Sequence, residues 1–165
     1  MSTDFNEYFA HYIGLVNELE VLEAITANHQ EFLKLLAGLN DEQALYRYAD
    51  DKWSIKEMIA HIIDSERVFT YRALRFARND ATDLAGYDEN AFALHSGADE
   101  RSLADLLHEF DVTRLSSLAL FKSFTSEMLS CRGTANNISI DVKSLGFLIA
   151  GHCKHHMNVM QERYL

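Results

Sequence analysis

The sequence predicts an all-α protein folded as a four-helix bundle, and three observations lead to this prediction. The 165-residue chain contains no proline, the residue type that most strongly breaks helices. Apolar residues recur at steps of three and four along four long segments, which is the period of a helix with one buried face. Strict alternation of apolar and polar residues, the pattern of a half-buried strand, is not sustained over any long window. Four long helices in one chain favour a bundle.

The first two long helices follow from this periodicity and from one start signal. The first is predicted over 20–39, and the segment before it, 8–16, is either a shorter helix or an irregular arm. The second is predicted from Ser54 to about Arg78, because Ser54 and Glu57 have the spacing of a capping box. The first helix carries an apolar stripe with one histidine, formed by Leu22, Ile25, His29, Phe32, Leu33 and Leu36.

The second half of the chain begins with a long connection over 79–100, where Asp, Ala, Gly and Asn become frequent; this segment could cover a site. A third helix is predicted over 102–128 and a fourth over 141–164, each after a residue suited to N-capping, with a turn-rich segment at 131–139. Three side chains of the connection either line a pocket mouth or, more commonly for such residues, pack on the surface: Tyr87, Phe92 and His95. The third helix carries a stripe of Leu103, Leu106, Leu107, Phe110, Leu115, Leu118 and Phe121.

The composition limits the partners and the compartment. Fifteen Lys and Arg against 25 Asp and Glu give a net charge of −10, which would repel nucleic-acid phosphates and anionic lipid head groups. No stretch approaches the roughly 20 apolar residues that span a bilayer, and the acidic start, 1–7, lacks the features of a signal peptide. We therefore expect a single cytoplasmic domain, 1–165, without nucleic-acid or membrane partners and with Cys131 and Cys153 as reduced thiols.

The histidines carry the clearest chemical signal. Eight are present, and three of them lie between Gly151 and His156. His152 and His156 are one helical turn apart and about 40° apart around the helix, among apolar neighbours. A single core histidine is more often satisfied by a hydrogen bond, but two on one inward face leave four ring nitrogens to satisfy, and one divalent cation binds a nitrogen of each. A metal site is the favoured interpretation.

A third ligand has to come from a facing helix, and His61 is the candidate. It occupies the edge of the buried arc of the second helix, from which it can reach a central cavity. Three histidines and a water would leave the open position that distinguishes catalytic from structural sites. A peptidase of the H-E-x-x-H type is disfavoured, because Cys153 stands where the catalytic glutamate would be.

Several residues near these histidines have two open interpretations each. Glu66 lies on the apolar side of its helix, where it either orients a ligand or carries protons, or else pairs with an arginine such as Arg67, Arg72 or Arg163. His155 is a proton carrier or an ordinary polar residue at the edge of the buried face. Asp64 accepts a hydrogen bond from a ligand or, more commonly, faces solvent, and Trp53 is expected to pack on the core before the second helix.

These residues resemble the DinB-like superfamily, also called YfiT-like metalloenzymes, over nearly the whole chain. The resemblance implies a four-helix bundle in up-down-down-up order, often dimeric, with a divalent metal held by histidines that match His61, His152 and His156. Many relatives have an acid where Cys153 stands and Pro-Gly where Asp50 and Asp51 stand, and the first difference weakens any mechanism that needs a base there. The segments that carry the resemblance are Lys52 to Glu57, His61 to Phe69, Tyr71 to Arg78, Gly151-His152, His155-His156 and Glu162 to Leu165.

Two functions compete at this point. The first is a metal-dependent enzyme, a hydrolase or a thiol S-transferase acting on a small molecule, with Glu66 or His155 as proton carrier. The second is a non-catalytic metal-binding or dimerisation module whose ion stabilises the fold. Neither the substrate nor the ion is fixed by the residues: zinc, nickel, iron and manganese are candidates, copper also suits imidazole, and a low-molecular-weight thiol is a possible second cofactor. A homodimer is expected from the resemblance.

Overall fold

The computed structural model describes the backbone of residues 3–165 and the side chains from residue 9 onward, so the side chains of the acidic stretch 1–7 lie outside the described part. The chain is mostly helical, as predicted. The elements in chain order are α1 (Thr3–Gly14), α2 (Val21–Leu36), α3 (Asp41–Ala44), α4 (Ile55–Ala77), α5 (Glu89–Leu94), a 3₁₀ turn (Ala98–Glu100), α6 (Leu103–Lys122), α7 (Ser126–Ser130), β1 (Arg132–Ala135), β2 (Ile138–Asp141) and α8 (Val142–Arg163).

The four long helices are α2, α4, α6 and α8, and the start signals predicted for three of them are confirmed. At α4, Ser54 Oγ accepts a hydrogen bond from the Glu57 amide at 3.0 Å, and Glu57 Oε2 accepts one from the Ser54 amide at 2.9 Å. At α6, Ser102 Oγ accepts from the Asp105 amide, and at α8, Asp141 Oδ1 accepts from the Ser144 amide. These side chains satisfy amide groups that the first helical turn leaves without partners.

A buried polar layer divides the core of the bundle into two apolar clusters. On each long helix, residues of one cluster are separated from residues of the other by a buried polar side chain. These separating residues are Asn28 on α2, Glu66 on α4, Arg114 on α6 and His152 on α8. Because buried polar groups need partners, this layer is where the chemistry of the bundle concentrates.

The third helix differs from its prediction at two points. It ends at Lys122, and Thr125 caps the separate short helix α7, so the predicted continuation to residue 128 is wrong. Leu115, assigned to the apolar stripe, is 53% exposed, whereas Arg114 is fully buried. The buried face of α6 therefore includes position 114. Because a charged residue is expected in solvent, the sequence pattern did not indicate that Arg114 is buried.

The all-α prediction misses one small hairpin. Within the turn-rich segment, β1 and β2 pair antiparallel, from Arg132 opposite Asp141 to Ala135 opposite Ile138. The turn between them is Asn136-Asn137, both with positive φ, which is the geometry of a two-residue hairpin turn. Strands of four residues are too short to produce a sustained alternating pattern.

The connection over 79–100 covers the bundle as predicted but includes α5, capped by Asp88. Leu84 forms a bridge with Ala135, so the connection packs along the hairpin. Tyr87 OH lies 2.8 Å from Ser65 Oγ on α4, which ties the connection to the bundle. Among residues 3–165, no helix is both long and apolar enough to cross a membrane.

Candidate metal centre

The three histidines predicted as metal ligands lie together between α4 and α8. The Nε2 atoms of His61 and His152 are 3.0 Å apart, and those of His156 and His152 are 3.1 Å apart. One ligand atom from each residue lies within 4.8 Å of the other two. We call His61, His152 and His156 the histidine cluster.

Burial keeps the histidine cluster uncharged. It lowers the pKa of His61 to about 4. Burial, followed by repulsion from neighbouring rings, holds the pKa of His152 and that of His156 well below the ordinary value for histidine. Each neutral imidazole has one nitrogen lone pair, which is the form that binds a metal. His61 is only 3% exposed, because Trp53 and α8 cover it.

The donor set fits a divalent cation. In a tetrahedral site with metal–nitrogen bonds of about 2.0–2.1 Å, the ligand nitrogens lie about 3.3 Å apart, close to the two Nε2 separations that involve His152. Without a cation, His152 Nε2 faces two other ring nitrogens but carries either one hydrogen or one lone pair, so it acts as a donor or as an acceptor and not as both. Hydrogen bonding among the rings therefore leaves this buried group poorly satisfied, whereas one cation would engage all three nitrogens.

Aromatic side chains pack around the cluster. The Trp53 ring centroid lies 4.6 Å from that of His61. Trp53 was predicted to pack on the apolar core, but it packs on the cluster. Phe69 and Tyr12 lie edge-on to His152 at 5.9 and 5.5 Å. Their hydrocarbon surrounds the ring nitrogens with a medium of low polarity, which strengthens electrostatic interactions within the cluster.

Gly151 allows α1 to come close enough to place Tyr12 on the cluster. A Cβ atom at Gly151 would lie 2.1 Å from the backbone oxygen of Tyr12, so any larger residue would push α1 away. The sequence indicated this glycine only as the neighbour of His152. It gave no signal that α1 would pack there.

Two cavities adjoin the cluster. His152 lines one of about 90 Å³, together with Phe69, Arg72 and Tyr87. His156 and His155 line the other, of about 260 Å³, with Trp53. A small molecule could therefore approach the cluster from either side. Tyr87 lines the first cavity, although surface packing is the more common role for such a residue. Phe92 and His95 are exposed.

The buried carboxylate of Glu66 forms an ion pair with Arg114 on α6. Arg114 Nε donates to Glu66 Oε2 at 3.0 Å, and Arg114 Nη1 donates to Asn28 Oδ1 at 2.9 Å. We call Asn28, Glu66 and Arg114 the charge cluster. The predicted pairing with an arginine is present, but the three partners named from sequence, Arg67, Arg72 and Arg163, are wrong, because the partner is Arg114. The second oxygen, Glu66 Oε1, has no hydrogen-bond partner among the described residues.

The other residues singled out from sequence are placed as follows. His155 lies beside the cluster, its ring centroid 5.1 Å from that of His156 and 5.1 Å from that of Tyr12. Asp64 Oδ1 lies 3.6 Å from Arg67 Nη1, and the two side chains form an ion pair. Burial raises the pKa of the Cys153 thiol to about 11, so it stays protonated at neutral pH. Neither cysteine forms a disulfide.

The fold and the sequence together define the class of protein. The family model of the DinB superfamily matches residues 24–160, and the chain belongs to that superfamily. A solved structure with a similar fold is that of YfiT from Bacillus subtilis, described as "a probable metal-dependent hydrolase with an unusual four-helix bundle topology"; the TM-score is 0.77 at 16% identity, over 86% of this chain and 82% of that chain. No curated protein sequence matches this chain.

Proposed function

We propose that this chain is a metal-dependent enzyme that holds one divalent cation on His61, His152 and His156 and acts on a small molecule as a hydrolase or a thiol S-transferase. The observation that carries the proposal is the convergence of three neutral imidazole nitrogens beside a cavity. A divalent cation held by imidazoles supplies Lewis acidity and lowers the pKa of a coordinated water or thiol toward neutrality. Zinc, nickel, iron and manganese are the candidate ions, and a low-molecular-weight thiol is a candidate second cofactor.

The chain's own residues would prepare the site in three ways. Two ligands one turn apart on α8 and one on α4 fix the directions of the three lone pairs before any ion binds. Trp53 and Phe69 exclude water from the rings they contact. Of the two predicted proton carriers, His155 is better placed than Glu66, because His155 lines the same cavity as His156 whereas Glu66 is ion-paired.

We also propose that the four long helices follow the up-down-down-up order. Side-chain contacts support parallel directions for α2 and α8, parallel directions for α4 and α6, and opposite directions for α2 and α6. The contacts are Val21 with Gly146 and Glu31 with Lys154, then Glu66 with Arg114 and Thr70 with Ser117, then Ile25 with Arg114 and Phe32 with Phe110.

The remaining predictions from the sequence belong to the same proposal. Residues 1–165 would form one DinB-like domain, active as a cytoplasmic homodimer. Its substrate would be a small molecule, and the net charge of −10 supports the absence of nucleic-acid and membrane partners.

One observation favours the alternative, a non-catalytic metal-binding or dimerisation module. Among residues 9–165, Glu66 is the buried carboxylate, and Arg114 holds it. No acid in the described part of the chain joins the histidine cluster as a general base. A module that only stabilises its fold by binding an ion would need no such base.

Metal content and turnover together test the proposal. The chain is purified without an affinity tag or chelator, and its metal is measured; we expect one divalent ion per chain. The loaded protein is then assayed with ester, amide and thiol-plus-electrophile panels. Turnover that disappears in His61→Ala supports the enzyme, and metal binding without turnover of any compound in the panels supports the module instead.

A matched control separates loss of a ligand from loss of a core histidine. His29 is also buried, but its Nε2 lies 2.8 Å from Asp111 Oδ1, outside the cluster. His29→Ala is expected to keep both the metal and the turnover. Equal losses in His29→Ala and His61→Ala would point to a general folding defect and count against the metal assignment.

A further inference from the structure

Arg72 is a buried cation without an anionic partner in the described part of the chain. It lies on α4 and is 6% exposed. Its Nη2 donates one hydrogen bond, at 3.0 Å, to the backbone oxygen of Ala85, and no carboxylate of the described residues forms an ion pair with it. A guanidinium has five donor hydrogens, and burying a charge without a counter-charge is costly. Burial accordingly lowers the pKa of Arg72.

Arg72 and His152 line the same cavity, of about 90 Å³. The other walls are mainly apolar and aromatic, and Phe69 and Tyr12 are among them. Such a cavity has three distinct parts: a cation, an apolar middle and one member of the histidine cluster. These parts match a molecule with an anionic group, a short apolar body and a group that reacts beside the histidines.

The segment that holds Arg72 in place contacts both the hairpin and α4. The Ala85 carbonyl that accepts from Arg72 precedes Gly86, where a Cβ atom would lie 2.5 Å from the Asn136 side-chain oxygen. Tyr87, next along the chain, contacts Ser65 on α4. The connection therefore fixes the guanidinium from one side, and Arg72 does not need to reorganise to bind an anion.

We propose that Arg72 binds the carboxylate of a small substrate whose reactive group lies at the histidine cluster. The inference rests on the proposed function for the position of the reactive group, but the anion site itself does not require a metal. A carboxylate fits better than a phosphate for two reasons. A single guanidinium faces the cavity, and Glu89 at its exposed rim repels anions, which opposes a doubly charged phosphate more strongly than a singly charged carboxylate. The small volume also excludes a nucleotide-sized ligand.

Binding of simple acids and amides to the full chain tests the site. Butyrate and its uncharged counterpart butyramide are titrated into chelator-treated protein by calorimetry or by NMR chemical shifts. Loss of a charge-assisted hydrogen bond weakens binding by about tenfold or more. We therefore expect butyrate to bind at least about tenfold more tightly than butyramide, and Arg72→Gln to remove that preference. The acid-to-amide comparison uses the unaltered protein, so it decides the question even if Arg72→Gln does not fold.

Controls identify the source of any binding. Arg78→Gln changes an exposed arginine on the C-terminal side of the same helix and is expected to leave butyrate binding unchanged. Equal affinity for acid and amide, the absence of saturable butyrate binding, full affinity in a folded Arg72→Gln variant, or tighter binding of inorganic phosphate would each overturn the inference.

Measuring butyrate binding with and without metal distinguishes this inference from the proposed function. Butyrate binding that survives in His61→Ala but not in Arg72→Gln supports the anion site whether or not the chain binds a metal. Butyrate binding that needs added zinc, is lost in His61→Ala and is unaffected in Arg72→Gln would make the carboxylate a metal ligand. That result would overturn the role of Arg72 while supporting the metal site.

Discussion

The charge cluster and the histidine cluster occupy the same polar layer of the bundle but satisfy their buried groups differently. In the charge cluster, Arg114 and Glu66 carry opposite charges, and Arg114 also donates to Asn28 and to the Ile25 carbonyl. In the histidine cluster, three neutral rings turn their Nε2 atoms toward one another. The charges of the first cluster are balanced within the chain, although Glu66 Oε1 and Arg114 Nη2 have no hydrogen-bond partner among the described residues, whereas the second cluster gains most from an added cation.

This difference separates a structural polar cluster from a candidate functional one. Burial alone does not distinguish them, since His152 is 5% exposed and Glu66 is 2% exposed. The balance of donors, acceptors and charges distinguishes the two clusters. A buried group whose partners come from the same chain stabilises one packing arrangement. A buried set of ring nitrogens that hydrogen bonds among the rings satisfy poorly is a candidate binding site for a cation.

Breaking the charge cluster should have the largest effect on stability. Arg114→Met leaves the Glu66 carboxylate buried without its counter-charge, and breaking a buried ion pair in this way costs about 3–5 kcal/mol of unfolding free energy. Urea denaturation of the metal-free chain measures it. Arg132→Met, which removes an exposed arginine paired with Asp141, should cost less than about 1 kcal/mol. Similar losses in the two variants would mean that the charge cluster contributes no more than a surface pair.

Adding metal should stabilise the chain through the histidine cluster alone. At a free metal concentration one hundred times the dissociation constant, binding to the native state adds about 2.7 kcal/mol to the unfolding free energy. We expect this gain in wild type, its loss in His152→Ala and its retention in Arg114→Met. Thermal or urea denaturation with and without zinc measures each gain. If Arg114→Met also loses the gain, the two clusters act as one network.

The packing that encloses the histidine cluster can be tested at Gly151. Gly151→Ala places a Cβ atom against the backbone of Tyr12, and such overpacking typically costs about 1–3 kcal/mol. Gly14→Ala is the matched control, because a Cβ there meets nothing within 4 Å, and its effect should be close to zero or slightly stabilising. Urea denaturation of the two variants compares them. Equal stability would show that α1 is not held against α8 at this point.

The comparison of the two clusters also explains how far the sequence alone could lead. The histidine cluster was predictable because His152 and His156 have helical spacing and His61 shares a periodic face with apolar residues. The burial of Arg114 in the charge cluster was not predictable, because a charged residue is expected in solvent and the neighbouring Leu115 was the apolar candidate for the core. Its burial depends on Glu66 and Asn28, which lie on other helices.

The cavity beside the histidine cluster was predictable only in part: Tyr87 was a candidate for a pocket mouth, but the place of Arg72 in the cavity was not foreseen. Arg72 and Tyr87 meet there only because the connection over 79–100 packs between α4 and the hairpin. No periodic pattern specifies how such a connection packs. The helices and their caps, by contrast, depend on residues within one turn of each other, and Ser54 with Glu57 gave the start of α4 directly.

The smallest effect is expected at His155, which touches the histidine cluster without joining it. Its ring packs edge-on against that of His156, and it is not one of the three residues whose ligand atoms converge. His155→Gln should therefore keep one metal ion per chain, with an affinity changed by less than the about tenfold that marks loss of a supporting partner. Metal titration followed by equilibrium dialysis measures this. An affinity close to that of His156→Ala would enlarge the cluster to four ligands, fill the open coordination position and remove the distinction between a binding site and a closed structural one.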